Sequence, residues 1–317
     1  MGRNSLITPI VDEYSIYIDD GGLSDLDFVS YTYLIADNYT NKILENKINE
    51  IKTKKGLKKL HANDIIHSNY KLYKDVYTEL FDTTISELKR ANKAIIMSRF
   101  GTNDEKKRNS VFISDKIQQI IIKSESVQKE HVPMLTEMAT YVLFSLLTMN
   151  DILHLRKAEN VKLSLIMDRI KNYDKTMNKV VLGSGKKYIS LLSIKNILLI
   201  IINTFLENYV PAIKENYNIV KIDSIDIVST ERSPVLEIVD AISYFILQTI
   251  KVNLNNYSAS NNEKYKSKFF YDILSEFDKG VLIEELKKFV KENWEYSNGK
   301  IISNDKRSVY VFSILQK

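Results

Sequence analysis

A short apolar strand that ends in two carboxylates and two glycines, residues 15–22, constrains the fold most. Aromatic and β-branched residues favour a pleated sheet, and here they alternate with Ser15 and Tyr17. Successive strand side chains point to opposite faces, so Asp19 and Asp20 cannot both serve one site from the strand. The glycine pair predicts a sharp turn directly after the acids. An ordinary hairpin carries the same residues, so the segment needs support from the rest of the chain.

Strand and helix patterns alternate along the chain, which predicts an α/β layer fold. Apolar alternation predicts further strands at residues 28–36, 94–100, 161–168, 220–229 and 308–315. Helical spacing predicts helices at residues 38–55, 70–91, 188–209, 233–245, 266–274 and 281–294. The second strand is expected to pair antiparallel with the first through a short loop.

Two regions are predicted to add to a core that spans residues 1–254. Residues 102–158 have a mainly helical pattern that Pro133 interrupts, and they predict a helical insertion. Residues 255–317 predict a C-terminal extension packed on the core, joined by a flexible link at 255–262.

The composition narrows the chemistry. The 317 residues include no cysteine, which excludes disulfides, zinc ribbons and thiol catalysis. Only four histidines are present, so a cation held by carboxylates, Mg²⁺ or Mn²⁺, is favoured over zinc. The N-terminus lacks a signal-peptide pattern, and the apolar run at 197–202 is too short to span a bilayer. We therefore expect a cytoplasmic protein without a membrane partner.

Lysines are concentrated between residues 40 and 60. Seven lysines stand there against Glu45 and Glu50, and they include the group Lys54, Lys55, Lys58 and Lys59. Clustered lysine suits a polyanion held by its phosphates, so these four residues are candidates for nucleic-acid binding. A solvated helix with a basic C-terminal end has the same composition.

Three aspartates lie where predicted elements end or where an apolar helix would bury them. Asp19 follows the first strand, Asp168 closes a later one, and Asp240 lies within an apolar helix. Glu237, three residues earlier, lies on roughly the same helix face as Asp240. A buried carboxylate is costly unless a cation or an ordinary hydrogen-bonding partner compensates its charge. Spacing alone leaves both possibilities open.

Four short motifs, in order along the chain, resemble those of the DUF3800 family. Residues 15–22 resemble its opening motif, two hydrophobic residues before Asp-Glu-Ser-Gly. Leu60-His61-Ala62 with Asp64 resembles its short histidine motif. The strand at 161–168 is similar to its central strand, and residues 233–244 resemble its closing motif, Ser-Pro-x-Leu-Gln-x-x-Asp followed by apolar residues.

The resemblance implies a ribonuclease H-like fold, a mixed β-sheet flanked by helices, and a nuclease activity in phage defence or mobile-element biology. Such a site holds two magnesium ions, one activating the attacking water and one stabilising the leaving oxygen. The resemblance carries over Asp19 as the bridging ligand, with Asp168 and Asp240 each holding one ion. His61 is expected to assist proton transfer or product release, although an ordinary hydrogen-bonded loop histidine fits equally.

Two positions depart from the family pattern. Asp20-Gly21 replaces Glu-Ser, and Glu237 replaces Gln, which adds a charge beside Asp240. Both Asp20 and Glu237 are therefore further candidate metal ligands.

The predicted function is magnesium-dependent hydrolysis of phosphodiester bonds in nucleic acid. An inactive module that binds nucleic acid or a protein is the alternative, and a metal phosphohydrolase acting on nucleotides is a third. A homo-oligomer or a partner protein is compatible with each.

Overall fold

The computed structural model describes the backbone of residues 12–23, 28–65, 67–91, 95–123, 127–149, 161–168, 173–174, 179–182, 187–213, 221–228, 233–303 and 309–315. The helices in these ranges are α1 (Asn38–Lys54), α2 (Tyr70–Arg90), α3 (Asn103–Lys123), α4 (Val132–Met149), α5 (Leu191–Ile213), α6 (Pro234–Asn253), α7 (Asn261–Ser275) and α8 (Gly280–Asn293). The strands are β1 (Asp12–Leu23), β2 (Phe28–Asp37), β3 (Ile95–Thr102), β4 (Val161–Asp168), β5 (Tyr173–Asp174), β6 (Lys179–Leu182), β7 (Lys187–Ser190), β8 (Ser224–Val228), β9 (Trp294–Ser297), β10 (Lys300–Ser303) and β11 (Val309–Leu315).

Six strands form a mixed sheet in the order β11-β3-β2-β1-β4-β8. Neighbours from β11 to β1 are antiparallel, whereas β4 and β8 run parallel to β1. The predicted antiparallel pairing of the first two strands is confirmed. The predicted turn at Gly21 and Gly22 is wrong, because the ladder continues through both glycines to Leu23, which pairs with Phe28. The chain is therefore an α/β protein in which β1 occupies the interior of the sheet.

Helices cover both faces of the sheet and divide the apolar interior in two. The first core lies against α1, α2, α6, α7 and α8, and its aromatic centre includes Tyr77, Phe245, Phe269 and Phe270. The second core lies against α3, α4 and α5. Strand alternation separates the two: Tyr17 faces the first core and Ile18 the second. Burying one apolar side chain of this size contributes about 2 kcal/mol. Side chains on both faces of β1 therefore help to hold the sheet between the two helix layers.

The helix α5 contains the longest apolar stretch of the described chain. Leu191–Tyr209 is 19 residues long with a mean hydropathy of 1.4, enough by length and composition to cross a membrane, and about a third of it is buried in the structure. The run at 197–202, which taken alone is too short to span a bilayer, is thus part of a longer apolar helix. Leu198 is buried in the second core, whereas Ile200 is exposed. The absence of a membrane partner stays a prediction.

The two predicted additions differ in how they join the core. The helical insertion at 102–158 corresponds to α3 and α4, with residues 150–160 outside the described ranges. In the segment 255–317, α7 and α8 supply residues of the first core and β11 pairs with β3 at the sheet edge. The link at 255–262 is fixed by contacts, including a capping box formed by Ser260 and Glu263.

Candidate functional site

The pairing of β1 with β4 brings two of the predicted acids together in the backbone. The last recorded pair of these parallel strands is Ile18 with Met167, so Asp19 and Asp168 follow side by side. Neighbouring strands lie about 4.8 Å apart. Asp19 is buried, with 8% of its surface exposed, and it lies two residues beyond Tyr17, on the first-core face. The side chain of Asp168 lies outside the described residues, so its carboxylate position stays a prediction.

Asp20 occupies a different face of the strand. It pairs with Tyr31, which belongs to the second core, whereas Asp19 pairs with Thr32. The predicted separation of the two acids is thus reproduced by the register. Asp20 is a candidate ligand whose side chain also lies outside the described residues, and its register position does not share the face of Asp19.

The helix α6, which carries Asp240, packs on the first-core face of the sheet. Ser233 caps its first turn by accepting a hydrogen bond from the backbone N–H of Leu236, and Pro234 is the first residue of the helix. One turn after Asp240, the Ser243 hydroxyl lies 3.5 Å from the Ser30 hydroxyl on β2. Ser30 pairs with Gly21, two residues beyond Asp19, so this contact anchors α6 beside the candidate site.

Glu237 has a partner that the sequence did not suggest. Lys52 of α1 donates from Nζ to both carboxylate oxygens, each at 2.7 Å, and the backbone N–H of Leu60 donates to Oε2 at 3.2 Å. Both charged residues are buried. Burial raises the pKa of Glu237, while the ammonium of Lys52 acts in the opposite direction. A metal-binding role for Glu237 would require this ion pair to open.

The histidine motif forms a loop, residues 60–65, that we call the histidine loop. His61 precedes a single 3-10 turn (Ala62–Asp64), and its Nδ1 lies 3.8 Å from a carboxylate oxygen of Asp64. This Nδ1 is buried and has no hydrogen-bond partner among the described residues. The turn is covered by Lys266 of α7, whose Nζ donates to the carbonyl oxygens of Ala62 and Ile65.

A buried tyrosine of α2 links the histidine loop to α6. The carboxylates of Asp240, Glu237 and Asp64 all add to the effect of burial, which raises the pKa of Tyr77 well above its usual value. The hydroxyl of Tyr77 is buried without a hydrogen-bond partner among the described residues. Sequence reasoning missed this residue, because a tyrosine on the apolar stripe of a helix is typical of an ordinary core.

Several lysines of the lysine-rich segment lie close to carboxylates of α2 and α6. Lys47 pairs with Glu87 and Lys52 with Glu237, while Lys54 and Lys55 lie 3.6 and 3.8 Å from Glu79. Lys58 and Lys59 are exposed in the connection that leads from α1 into the histidine loop. Of the four predicted nucleic-acid contacts, Lys54, Lys58 and Lys59 are thus exposed, whereas Lys55 is partly buried.

The donor chemistry of the aspartates fits a hard divalent cation, since carboxylate oxygens are the ligands that Mg²⁺ prefers. Among the side chains that the structure describes, no three histidine, aspartate or glutamate residues lie close enough together to hold one ion. Asp168 falls outside that set, so Asp19 and Asp240 are the described members of the candidate ligand group.

Comparison with protein-family models, with curated proteins and with solved structures finds no match to this chain. The resemblance to the DUF3800 family therefore stays a prediction that depends on the four motifs, and the α/β architecture is what the coordinates establish.

Proposed function

We propose that the chain is a magnesium-dependent nuclease with a ribonuclease H-like fold. The observation that carries the proposal is the register of β1 and β4, in which the backbones of Asp19 and Asp168 directly follow the last pair of these neighbouring parallel strands. In open α/β sheets, ligands bind beyond the carboxyl ends of parallel strands. The helix α6, which carries Asp240, packs on the same face of the sheet, and Ser243, one turn after Asp240, lies 3.5 Å from Ser30 of β2.

Asp19, Asp168 and Asp240 would hold the cation. Bound magnesium supplies a water of lowered pKa and stabilises charge on the leaving oxygen. The position of Asp19 supports this assignment, because it is buried on the first-core face directly after the last residue of β1 that pairs with β4. Asp20 and Glu237 are not in this core set, the first because of its register position and the second because of its ion pair with Lys52.

The substrate proposed is nucleic acid. Lys58 and Lys59 are exposed immediately before the histidine loop and would contact phosphates as point charges. The motif resemblance adds a setting in phage defence or mobile-element biology. His61 is the candidate for proton transfer, since its Nδ1 has no hydrogen-bond partner among the described residues and lies 3.8 Å from the carboxylate of Asp64.

The test is cleavage of labelled single- and double-stranded DNA and RNA with magnesium, with mononucleotides assayed in parallel. Asp19→Asn and Asp240→Asn are expected to lower the rate on the order of a hundredfold or more with folding retained. The matched control is Asp82→Asn, at an exposed position of α2.

Three results would redirect the assignment. Cleavage that persists in both Asn variants removes these acids from the chemistry. Hydrolysis of mononucleotides alone identifies a phosphohydrolase. Binding of polynucleotides by a parent chain that never cleaves them identifies the inactive module.

A further inference from the structure

We infer that Lys266, in α7, is a positioning residue that holds the histidine loop in place beside the candidate site. Its Nζ donates to the carbonyl oxygens of Ala62 and Ile65, and so spans the 3-10 turn that follows His61. The side chain crosses from a helix 204 residues away in sequence to reach this turn. The role in catalysis depends on the proposed nuclease function, whereas the role in loop geometry does not.

The histidine loop is held by buried charges at both ends. At its start, the backbone N–H of Leu60 donates to Glu237, which is itself paired with Lys52. At its end, Lys266 binds two carbonyl groups. Hydrogen bonds with a charged partner are about twice as strong as neutral ones, so α6 and α7 together fix the backbone that carries His61.

Overall stability gives little reason for a lysine at this position. Lys266 is fully buried, and its neighbours Phe269 and Phe270 belong to the first core. Taking an ammonium group out of water is costly, and an apolar side chain of similar volume is often equally or more favourable. Burial lowers the pKa of Lys266 to about 8, with the carboxylate of Asp64 acting in the opposite direction. We therefore attribute the presence of a lysine here to its two hydrogen bonds, which hold the backbone of the 3-10 turn in the histidine loop.

The helix α7 is a rigid support for this contact. Its first turn is closed by the capping box of Ser260 and Glu263. Further along, Asp272 accepts a hydrogen bond of 2.6 Å from the Tyr70 hydroxyl at the start of α2. Lys266 lies between the capped first turn and Asp272, so the backbone that carries its side chain is held on both sides.

The absence of cysteine from the sequence allows a direct measurement of loop opening. Ala62→Cys places a single thiol at a buried loop position, and Ala139→Cys places one in the second core, on the opposite face of the sheet. Labelling by dithionitrobenzoate then reports local opening at residue 62 and global opening at residue 139. Each reporter is combined with Lys266→Met and with the control Lys268→Met, an exposed position of the same helix.

Lys266→Met is expected to accelerate labelling at residue 62 by about tenfold or more, because two charge-assisted hydrogen bonds are lost. Labelling at residue 139 should change by a much smaller factor than labelling at residue 62, and Lys268→Met should change neither. Equal rates at residue 62 in parent and Lys266→Met overturn the inference. Parallel acceleration at both sites also overturns it, since Lys266 would then act on global stability alone.

Kinetics of nucleic-acid cleavage separate positioning from substrate binding. Lys266→Met is expected to lower kcat about tenfold with KM unchanged, and Lys266→Arg, which keeps charge and donors, should restore most of it. Loss of loop protection with unchanged kcat removes the link to catalysis. A parent chain without cleavage activity overturns the proposed function but leaves the labelling result as a separate test of the loop contact.

Discussion

The buried ion pair of Lys52 and Glu237 is the residue-scale contact with the clearest energetic consequence. It connects α1 to the first turn of α6, and its two partners are 6% and 1% exposed. Removing one member of a buried pair is far more costly than replacing both, because a single charge is left in the interior.

Lys52→Met is expected to lower the free energy of unfolding by about 3 kcal/mol near neutral pH. Without Lys52, burial raises the pKa of Glu237 further, and a group with a raised folded-state pKa loses stability as pH rises through that pKa. The deficit should therefore shrink as the pH is lowered towards about 5. Urea unfolding at several pH values measures this, with Lys54→Met on the exposed side of α1 as the matched control. If the difference in unfolding free energy between the parent and Lys52→Met did not change with pH, Glu237 would not be left charged in the variant.

Lys266 predicts a second pH effect, with the opposite sign. Its folded-state pKa is lowered to about 8 from the ordinary 10.5, so the unfolded chain binds more protons between these values. Stability contributed by this residue therefore rises with pH across that interval, by about 1 kcal/mol or more. The difference in unfolding free energy between the parent and Lys266→Met isolates this contribution from other titrating groups. A constant difference from about pH 7 to pH 10 would contradict it.

At the scale of elements, the end of α1 sets the direction in which the chain enters the histidine loop. Gly56 follows the helix with φ of +69°, and a Cβ there would meet no atom within 4 Å. A side chain at this position would therefore be strained by the positive φ angle and not by contact with other atoms.

Gly56→Ala is expected to lower the free energy of unfolding by about 1 kcal/mol, since L-residues resist positive φ. Gly56→Asn should cost less, because asparagine tolerates this conformation. Chemical denaturation of the three chains provides the comparison. Equal losses in both variants would contradict a conformational origin.

Elements with a long, regular pattern could be predicted from the sequence. The β1–β2 hairpin, the strand that ends at Asp168 and the capped start of α6 all follow from local alternation or capping residues. The β9–β10 hairpin was missed, although Asn298-Gly299, both at positive φ, is a strong turn signal. The short strands β5, β6 and β7 carry two to four residues each, which is too few for a periodic pattern.

The candidate site was only partly predictable for a different reason. The alignment of Asp19 with Asp168 follows from the parallel pairing of β1 with β4, which no local pattern in the sequence predicts. The pairing of Glu237 with Lys52 joins residues 185 positions apart, and no local pattern reports such a contact. Lys266 likewise resembles any lysine on a polar helix until α7 is packed against the histidine loop.

At the scale of the whole molecule, the described parts of residues 255–317 pack into the first core and add a strand to the main sheet. Phe312 and Ile314 of β11 are buried in the first core, and α7 supplies Phe269 and Phe270. A separate extension would be expected to unfold independently, whereas these contacts tie the segment to the sheet.

Thermal unfolding of the intact chain is therefore expected to be a single transition with equal calorimetric and van't Hoff enthalpies. A chain that stops after Ser303 loses β11 and should unfold at lower temperature, because the first core is opened and the edge of β3 is exposed. The double substitution Lys288→Ala and Glu292→Ala, on the exposed face of α8, is the control. Two separate transitions in the intact chain would show that residues 255–317 unfold independently of the core, and would contradict this expectation.

The pairing of β11 with β3 also has a consequence for the order of folding events. Val309 pairs with Gly101, so this ladder closes one of the longest loops in the chain. Contacts between residues far apart in sequence form slowly, because the entropy lost in closing the loop comes before any contact stabilises the closed form. Any partly folded species that lacks this strand exposes the backbone of β3 as a template for other chains. Refolding yield should consequently fall as protein concentration rises, even though the finished sheet has that edge covered.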